Sequence, residues 1–404
     1  MVRPGHMGPL AGGESARADP GRRRWALAVF GFVALEGAGL QMRGAVVPVL
    51  RETFGASAWQ LGLVAPAGTV GFTLLVAVVG AVAGRFGTHR LFLVGVVGTG
   101  AGLLAMGVAP SFGFFLAALV GRGVFSGVGR GSDRPLLSHL YPEARGRLFS
   151  YYDMTWAVGA TLGPLAVSAA LWLGDWRLAF YALGVAFLPL AALVRSLPAP
   201  AVGGDRPLDL AALGRIGRRP EVLAMAAGIL MTTGVEGGLF TWLTTYAEGR
   251  FPGSLTTASL SVLLVAYVPG RFVAGRLAER VGYLRLSVAL AGLCLLSVAY
   301  TFFLASGVGL VAGLFAVGLT LSGLYPTLTA HATEAVPEHS APLNAIGLVT
   351  AAVGIAGVPV AMGFVIEAAG VVPAMRLLVV PLVAMVLVLL VLSRRSRGTA
   401  SGSP

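Results

Sequence analysis

The sequence predicts an all-α membrane protein in which twelve transmembrane helices form two pseudo-symmetric six-helix bundles. Three observations carry that prediction: a charge content too low for a water-facing surface, twelve long apolar runs, and a set of motifs that recurs 195 residues along the chain.

Only 11% of the 404 residues are charged and 56% are apolar, with a mean hydropathy of +0.84. Soluble chains carry about 25% charged residues. Halving that leaves too few polar groups to coat a wet surface, whereas a lipid-facing surface needs none. All 29 basic residues are arginine, which reads as base composition of the genome and not as a site. The net charge of +12 does not imply nucleic acid, because the arginines fall between apolar runs and not on one solvated face. Anionic lipid headgroups suit that placement. The single Cys294 lies in an apolar run, so neither a disulfide framework nor a metal cluster is expected, and no cofactor.

At roughly 20 residues per crossing, the spans fall at about 25–48, 58–83, 91–109, 112–139, 148–172, 177–195, 221–247, 256–277, 284–305, 308–331, 341–366 and 371–392. They divide the chain into a disordered tail (1–24), an N-terminal bundle (25–195), a polar, Pro-rich linker (196–220), a C-terminal bundle (221–392) and a short tail (393–404). The basic tail before an apolar run resembles a signal peptide. Glu36, Gln41 and Arg43 within that run, and no clear small-residue cleavage site, argue that it stays. Arginines concentrate in the two tails and after spans two, four, six and eight, so the positive-inside rule places both termini in the cytoplasm. The loop after span ten, "HATEAVPEHSA", is the exception.

The repeat is explicit. "GAVAGRFGTHR" (80–90) and "GRLAERVGYLR" (275–285) share Gly, Ala, Arg, Gly and Arg at equal offsets. Gly159 and Pro164 recur as Gly354 and Pro359, and Glu36-Gly37 is echoed by Glu236-Gly237. Parallel six-span halves are a transporter architecture with a site near the midplane between them.

These segments resemble the major facilitator superfamily. Its loop after span two reads approximately Gly-x-x-x-Asp-Arg-x-Gly-Arg-Arg. Gly80, Arg85, Gly87 and Arg90 match, with Gly84 in place of the acid; the second-half copy, Gly275, Glu279, Arg280, Gly282 and Arg285, supplies it. Arg122 and Gly127 fit the family's Arg-x-x-x-x-Gly pattern in span four, and "GATLGP", containing Gly159, Gly163 and Pro164, resembles an antiporter helix-packing motif. "GVEGGLFTWLTTYA" (234–247) and "SGLYPTLTA" (322–330) look like the fucose-permease-like sugar transporters. The resemblance implies secondary transport in the cell membrane by alternating access. It also implies a cytoplasmic latch built from Arg85, Arg90, Glu279 and Arg280, and a coupling or substrate role for Arg122.

The residues themselves point the same way. A carboxylate at mid-membrane is costly and usually functional or paired; Glu36 and Glu236 are candidates for proton coupling or substrate contact, with a structural bond as the bland reading. Arg43 lies two helical turns beyond Glu36. Gln41, Trp242 and Tyr325 are candidates to line a substrate path, although apolar packing or lipid contact is the more common role for aromatic residues such as Trp242 and Tyr325. "GVGRGSDRPLL" (127–137) places Arg130, Asp133 and Arg134 on one flank of span four's inner end, where Pro135 favours a kink. With Asp153 and Arg271 they form a candidate gate, an inter-helix charge network; a landing site for an anion is the other role these charges fit. The expected cargo is a small polar solute with a proton as co-substrate, carried by a monomer. A proton-driven exporter of amphipathic compounds is the alternative, and a non-transporting membrane sensor the alternative of another class. An intramembrane enzyme would need a ligand cluster or a nucleophile–base pair; His331 and His339 beside Glu334 and Glu338 offer the nearest thing, on the expected loop after span ten. A nucleotide loop of the GxxxxGK[ST] type is absent, so ATP-driven pumping is not expected.

Overall fold

In the computed structural model the described residues are 20–141, 145–199, 215–251, 253–336 and 340–400. Among them the chain is helical throughout, without a strand. Twelve helices are long and apolar enough to cross a membrane: Gly21–Ala45, Ala58–Val76, Thr88–Gly107, Phe112–Leu140, Tyr151–Trp172, Arg177–Ser196, Pro220–Ala247, Thr256–Val281, Tyr283–Leu304, Val308–Ala335, Leu343–Ala369 and Val371–Arg394. Every expected span is present.

The ends differ from the sequence reading. The first helix begins at Pro20, inside the segment read as a disordered tail, and the last runs on to Ala400. Proline without an N–H suits a helix's first turn. The helix carrying Pro135 runs unbroken from Phe112 to Leu140, and the Pro135 carbonyl accepts from His139 Nδ1 at 2.7 Å. Spans two, eight, ten and twelve are each built from two α-helices, meeting at Leu63, Ala266, Ser322–Gly323 and Leu377–Leu378 respectively. Span ten continues to Ala335, so His331 and Glu334 lie on its last turns and not on a loop; Glu338 and His339 are outside the described residues.

The packing repeats as the sequence does. In the first half span five packs on span one, span four on spans two and three, and span six on span three. In the second half eleven packs on seven, ten on eight and nine, and twelve on nine. Because lipid tails are as apolar as leucine, such helices associate through close contact of small residues and polar bonds. A Cβ on Gly159 or Gly163 would run into the carbonyls of Ala34 and Ala38 on span one; one on Gly354 would meet span seven at the equivalent place, 2.5 Å from the Leu230 carbonyl. "GATLGP" is therefore the ridge by which span five seats on span one. The repeated loop motif has its own cause: Gly87 and Gly282 hold φ of 76° and 84°, turning span two into three and span eight into nine.

The halves meet along spans two and eleven, five and eight, and one and seven. Arg51 pairs with Glu248 at 3.2 Å, Trp59 stacks on Phe364 at 6.3 Å, Ser168 bonds Thr257, and Ser261 donates to the Thr161 carbonyl at 2.8 Å. All four contacts lie toward the end of the bundle that carries neither terminus.

Candidate functional site

Span four organises the polar interior. Arg122, Ser126, Arg130 and Arg134 are spaced four apart, so they share one helix face, and that face meets spans one and five.

At its deep end, Arg122 is wholly buried. Its Nη2 donates to the Glu36 backbone carbonyl at 3.1 Å and stands 3.6 Å from Glu36 Oε1. Ser126 Oγ donates to the same carboxylate oxygen at 3.1 Å. Arg43 is also buried; its Nη1 donates to the Ala65 carbonyl at 3.3 Å, and it lies within Coulombic reach of both Glu36 and Arg122. Glu36 is thus the ion-pair partner of Arg122, with Arg43 near enough to feel both charges. Arg122 Nε and Nη1 and Gln41 Nε2 are buried with no hydrogen-bond partner among the described residues. Gln41 is 1% exposed, placing it inside this cluster's helix and not on an open wall.

Toward the terminus-bearing end the same face carries a second network. Asp133, fully buried, accepts from the Tyr152 hydroxyl at 2.5 Å and lies 3.7 Å from Arg130 Nη1. Arg130 in turn donates to the Tyr152 oxygen. Both Arg130 and Arg134 stand over the Tyr152 ring at 4.9 Å, and Arg134 pairs with Asp153 at 3.0 Å where both are half-exposed. The structure therefore brings together Arg130, Asp133, Arg134 and Asp153, and adds Tyr152, which the sequence reading missed. Its signal was the "YYD" triplet opening span five, a phenol beside an acid at a helix end.

In the second half Glu236 is partly exposed and accepts from the Tyr267 hydroxyl at 2.9 Å. Arg271, one turn beyond Tyr267, points its guanidinium at two rings, 5.6 Å from Tyr267 and 5.8 Å from Trp156 of span five. That contact crosses between halves, so Arg271 belongs with Glu236 and not with the span-four network. Arg271 Nε has no hydrogen-bond partner among the described residues. Tyr267 was also missed; within an apolar run a tyrosine reads equally as packing.

The remaining candidates are scattered. Trp242 is 1% exposed and its indole N–H donates to the Pro359 carbonyl at 2.9 Å, a packing position between spans seven and eleven. Tyr325 is half-buried and within Coulombic range of both Arg134 and Glu236, one from each half. Arg90, Glu279 and Arg280 are exposed, and Glu279 and Arg280 form no ion pair with a described residue. The Arg85 side chain lies outside the described residues. Among the described residues no group of three or more His, Cys, Asp or Glu could hold a metal.

The family model described as Major Facilitator Superfamily matches residues 29–358 and 253–404. Among curated proteins, the chain is 33% identical over 177 residues to the puromycin resistance protein pur8 of Streptomyces alboniger, covering 42% of this chain and 34% of that one. It is 30% identical over 185 residues to the uncharacterized MFS-type transporter YfiU of Bacillus subtilis (strain 168), covering 43% and 33%. The chain thus matches about a third of the length of each of these relatives. Among solved structures, a bacterial homolog of the human lysosomal transporter Spinster, inward-facing and unoccupied, superposes with a TM-score of 0.79 at 17% identity, covering 93% of this chain and 98% of that one. The nucleoside transporter NupG superposes with a TM-score of 0.76 at 11% identity, covering 92% and 98%.

Proposed function

The chain belongs to the major facilitator superfamily, and on that footing we propose that it moves a small polar solute across the cell membrane by alternating access, coupled to protons through Glu236. One observation carries the reading: a carboxylate stands at mid-span in each half, and the two have unlike surroundings, Glu36 buried and Glu236 partly exposed. Glu36 is ion-paired with the wholly buried Arg122 and lies within Coulombic reach of Arg43, so neutralising it would strand buried positive charge, which is strongly unfavourable. Glu236 faces a phenol and is partly exposed, so it can gain or lose a proton without orphaning an ion pair. Glu36 is then a fixed counter-ion, and Glu236 the group that takes a proton on one side of the membrane and releases it on the other.

The alternating step has a supported geometry. The halves are joined at the end without termini, by Arg51–Glu248, Trp59–Phe364 and the span five–eight bonds. At the opposite end Arg90, Arg134, Glu279 and Arg280 are exposed and Asp153 is half-exposed. With the arginine-rich end placed in the cytoplasm, the proposed state is inward-open, in a multi-pass protein with both termini on the cytoplasmic side. Burial, reinforced by Glu52 and opposed by Arg51, raises the Glu248 carboxyl above its ordinary range. The direction of transport favoured here is export in exchange for protons, on the "GATLGP" ridge and the relative named for puromycin resistance; uptake of a sugar-like solute is the second reading, on the "GVEGGLFTWLTTYA" and "SGLYPTLTA" segments.

Reconstituted protein tested with sugars, organic acids and cationic compounds should move at least one class faster in the presence of a pH gradient. Flux of every class at the rate of empty liposomes sinks the reading. The span-four network gives a second expected result. Asp133→Asn removes the charge that offsets Arg130 while keeping one acceptor for Tyr152. It should cost about 1–3 kcal/mol of stability and slow transport, while the variant still inserts and purifies as a monodisperse species. Unchanged melting and flux would assign Asp133 no part in the gate.

A further inference from the structure

An open groove of about 520 Å³ lies beside the start of span one, lined by Arg23, Ala26, Leu27, Phe30 and Tyr141. The first four residues are spaced three, four and seven along one helix, so they form a single stripe. Arg23 heads the stripe at the membrane edge, and Leu27, 66% exposed, and Phe30 carry it toward the hydrocarbon. Tyr141, at the end of span four, closes the other wall. Its ring is held by Arg22, whose guanidinium stands 4.6 Å over it and donates to the neighbouring Leu140 carbonyl. The groove is thus built by two spans and fixed by a cation–π contact, with a cation at its head and a continuous apolar floor.

We propose that this groove binds one anionic phospholipid, its phosphate on Arg23 and an acyl chain along Ala26, Leu27 and Phe30. Charge selects the occupant. A zwitterionic lipid would fill the apolar floor equally well but offsets its phosphate with its own cation, so a net negative headgroup gains more from Arg23; the adjoining Arg24 is exposed and does not line the groove. A free phosphate would use the arginine and leave the floor empty. Basic pockets between helices on the cytoplasmic side are suited to such headgroups.

Native mass spectrometry of delipidated protein titrated with phosphatidylglycerol or phosphatidylcholine tests this. Phosphatidylglycerol should be retained about fivefold more strongly, the worth of one basic residue near an anionic headgroup. Arg23→Gln should abolish the preference, Ala26→Phe should reduce retention of both lipids, and Arg24→Gln should preserve the preference. Equal retention of the two lipids by the native chain overturns the proposal. So does loss of preference in Arg24→Gln matching that in Arg23→Gln, or displacement of the lipid by glycerol phosphate, which would make the site one for free phosphate.

Discussion

Glu36→Gln is expected to yield a protein that inserts but melts far below the native chain. Glu36 lies 3.6 Å from Arg122 Nη2 and within Coulombic reach of Arg43, with Arg122 wholly buried and Arg43 5% exposed. Taking a partner from a buried pair costs about 3–5 kcal/mol, because the stranded charge stays out of water. Total stabilities are typically about 5–15 kcal/mol, so the loss is a large share. Charge counting supplies the control. The native trio of Glu36, Arg43 and Arg122 carries a net +1, and Glu36→Gln raises it to +2. The double variant Glu36→Gln with Arg43→Gln returns it to +1 and should recover part of the lost stability. Thermal unfolding in detergent, followed by size-exclusion chromatography, reads both. A native melting temperature in Glu36→Gln would mean that the carboxylate is not the counter-ion of these arginines.

How much of this was legible in the sequence depends on which force decides each feature. The twelve spans were legible because lipid imposes one requirement, apolarity, over some twenty residues at a time. Their ends were not, since Pro20 to Arg24 and Ser393 to Ala400 are polar and helical, and helix propensity there is a local matter that hydropathy does not see. The symmetry was legible because Gly87 and Gly282, and Gly159 and Gly354, answer to the same backbone geometry twice. The charged members of the site were legible because an intramembrane charge is rare enough to need a reason. Tyr152 and Tyr267 were not, because a phenol in an apolar run declares its hydroxyl only when a carboxylate arrives from another helix, as Asp133 and Glu236 do. The same holds for Trp242, whose indole is committed to the Pro359 carbonyl, and for Arg271, whose company with Trp156 crosses between halves.

Glu236→Gln should behave in the opposite way to Glu36→Gln: near-native folding with uncoupled transport. Its carboxylate accepts from the Tyr267 hydroxyl at 2.9 Å, and a glutamine carbonyl accepts the same bond. No described arginine pairs with Glu236 at salt-bridge distance, since Arg271 lies over the Tyr267 and Trp156 rings instead. Neutralisation therefore breaks no ion pair at salt-bridge distance and removes only the longer-range attraction to Arg271, so the melting temperature should fall much less than in Glu36→Gln. Coupling is where the effect falls. One pH unit is worth about 1.4 kcal/mol per proton, so a one-proton carrier can hold about a tenfold solute gradient across one unit. Glu236→Gln has no proton to carry; accumulation should fall to the level of the solute's own gradient, while solute-for-solute exchange continues. Tyr267→Phe removes the hydroxyl but leaves the carboxylate, so it should shift the pH at which transport is half-maximal and keep the coupling. If Glu236→Gln still accumulates solute against its gradient, the proton travels elsewhere, and the asymmetry between the two carboxylates is a matter of packing alone.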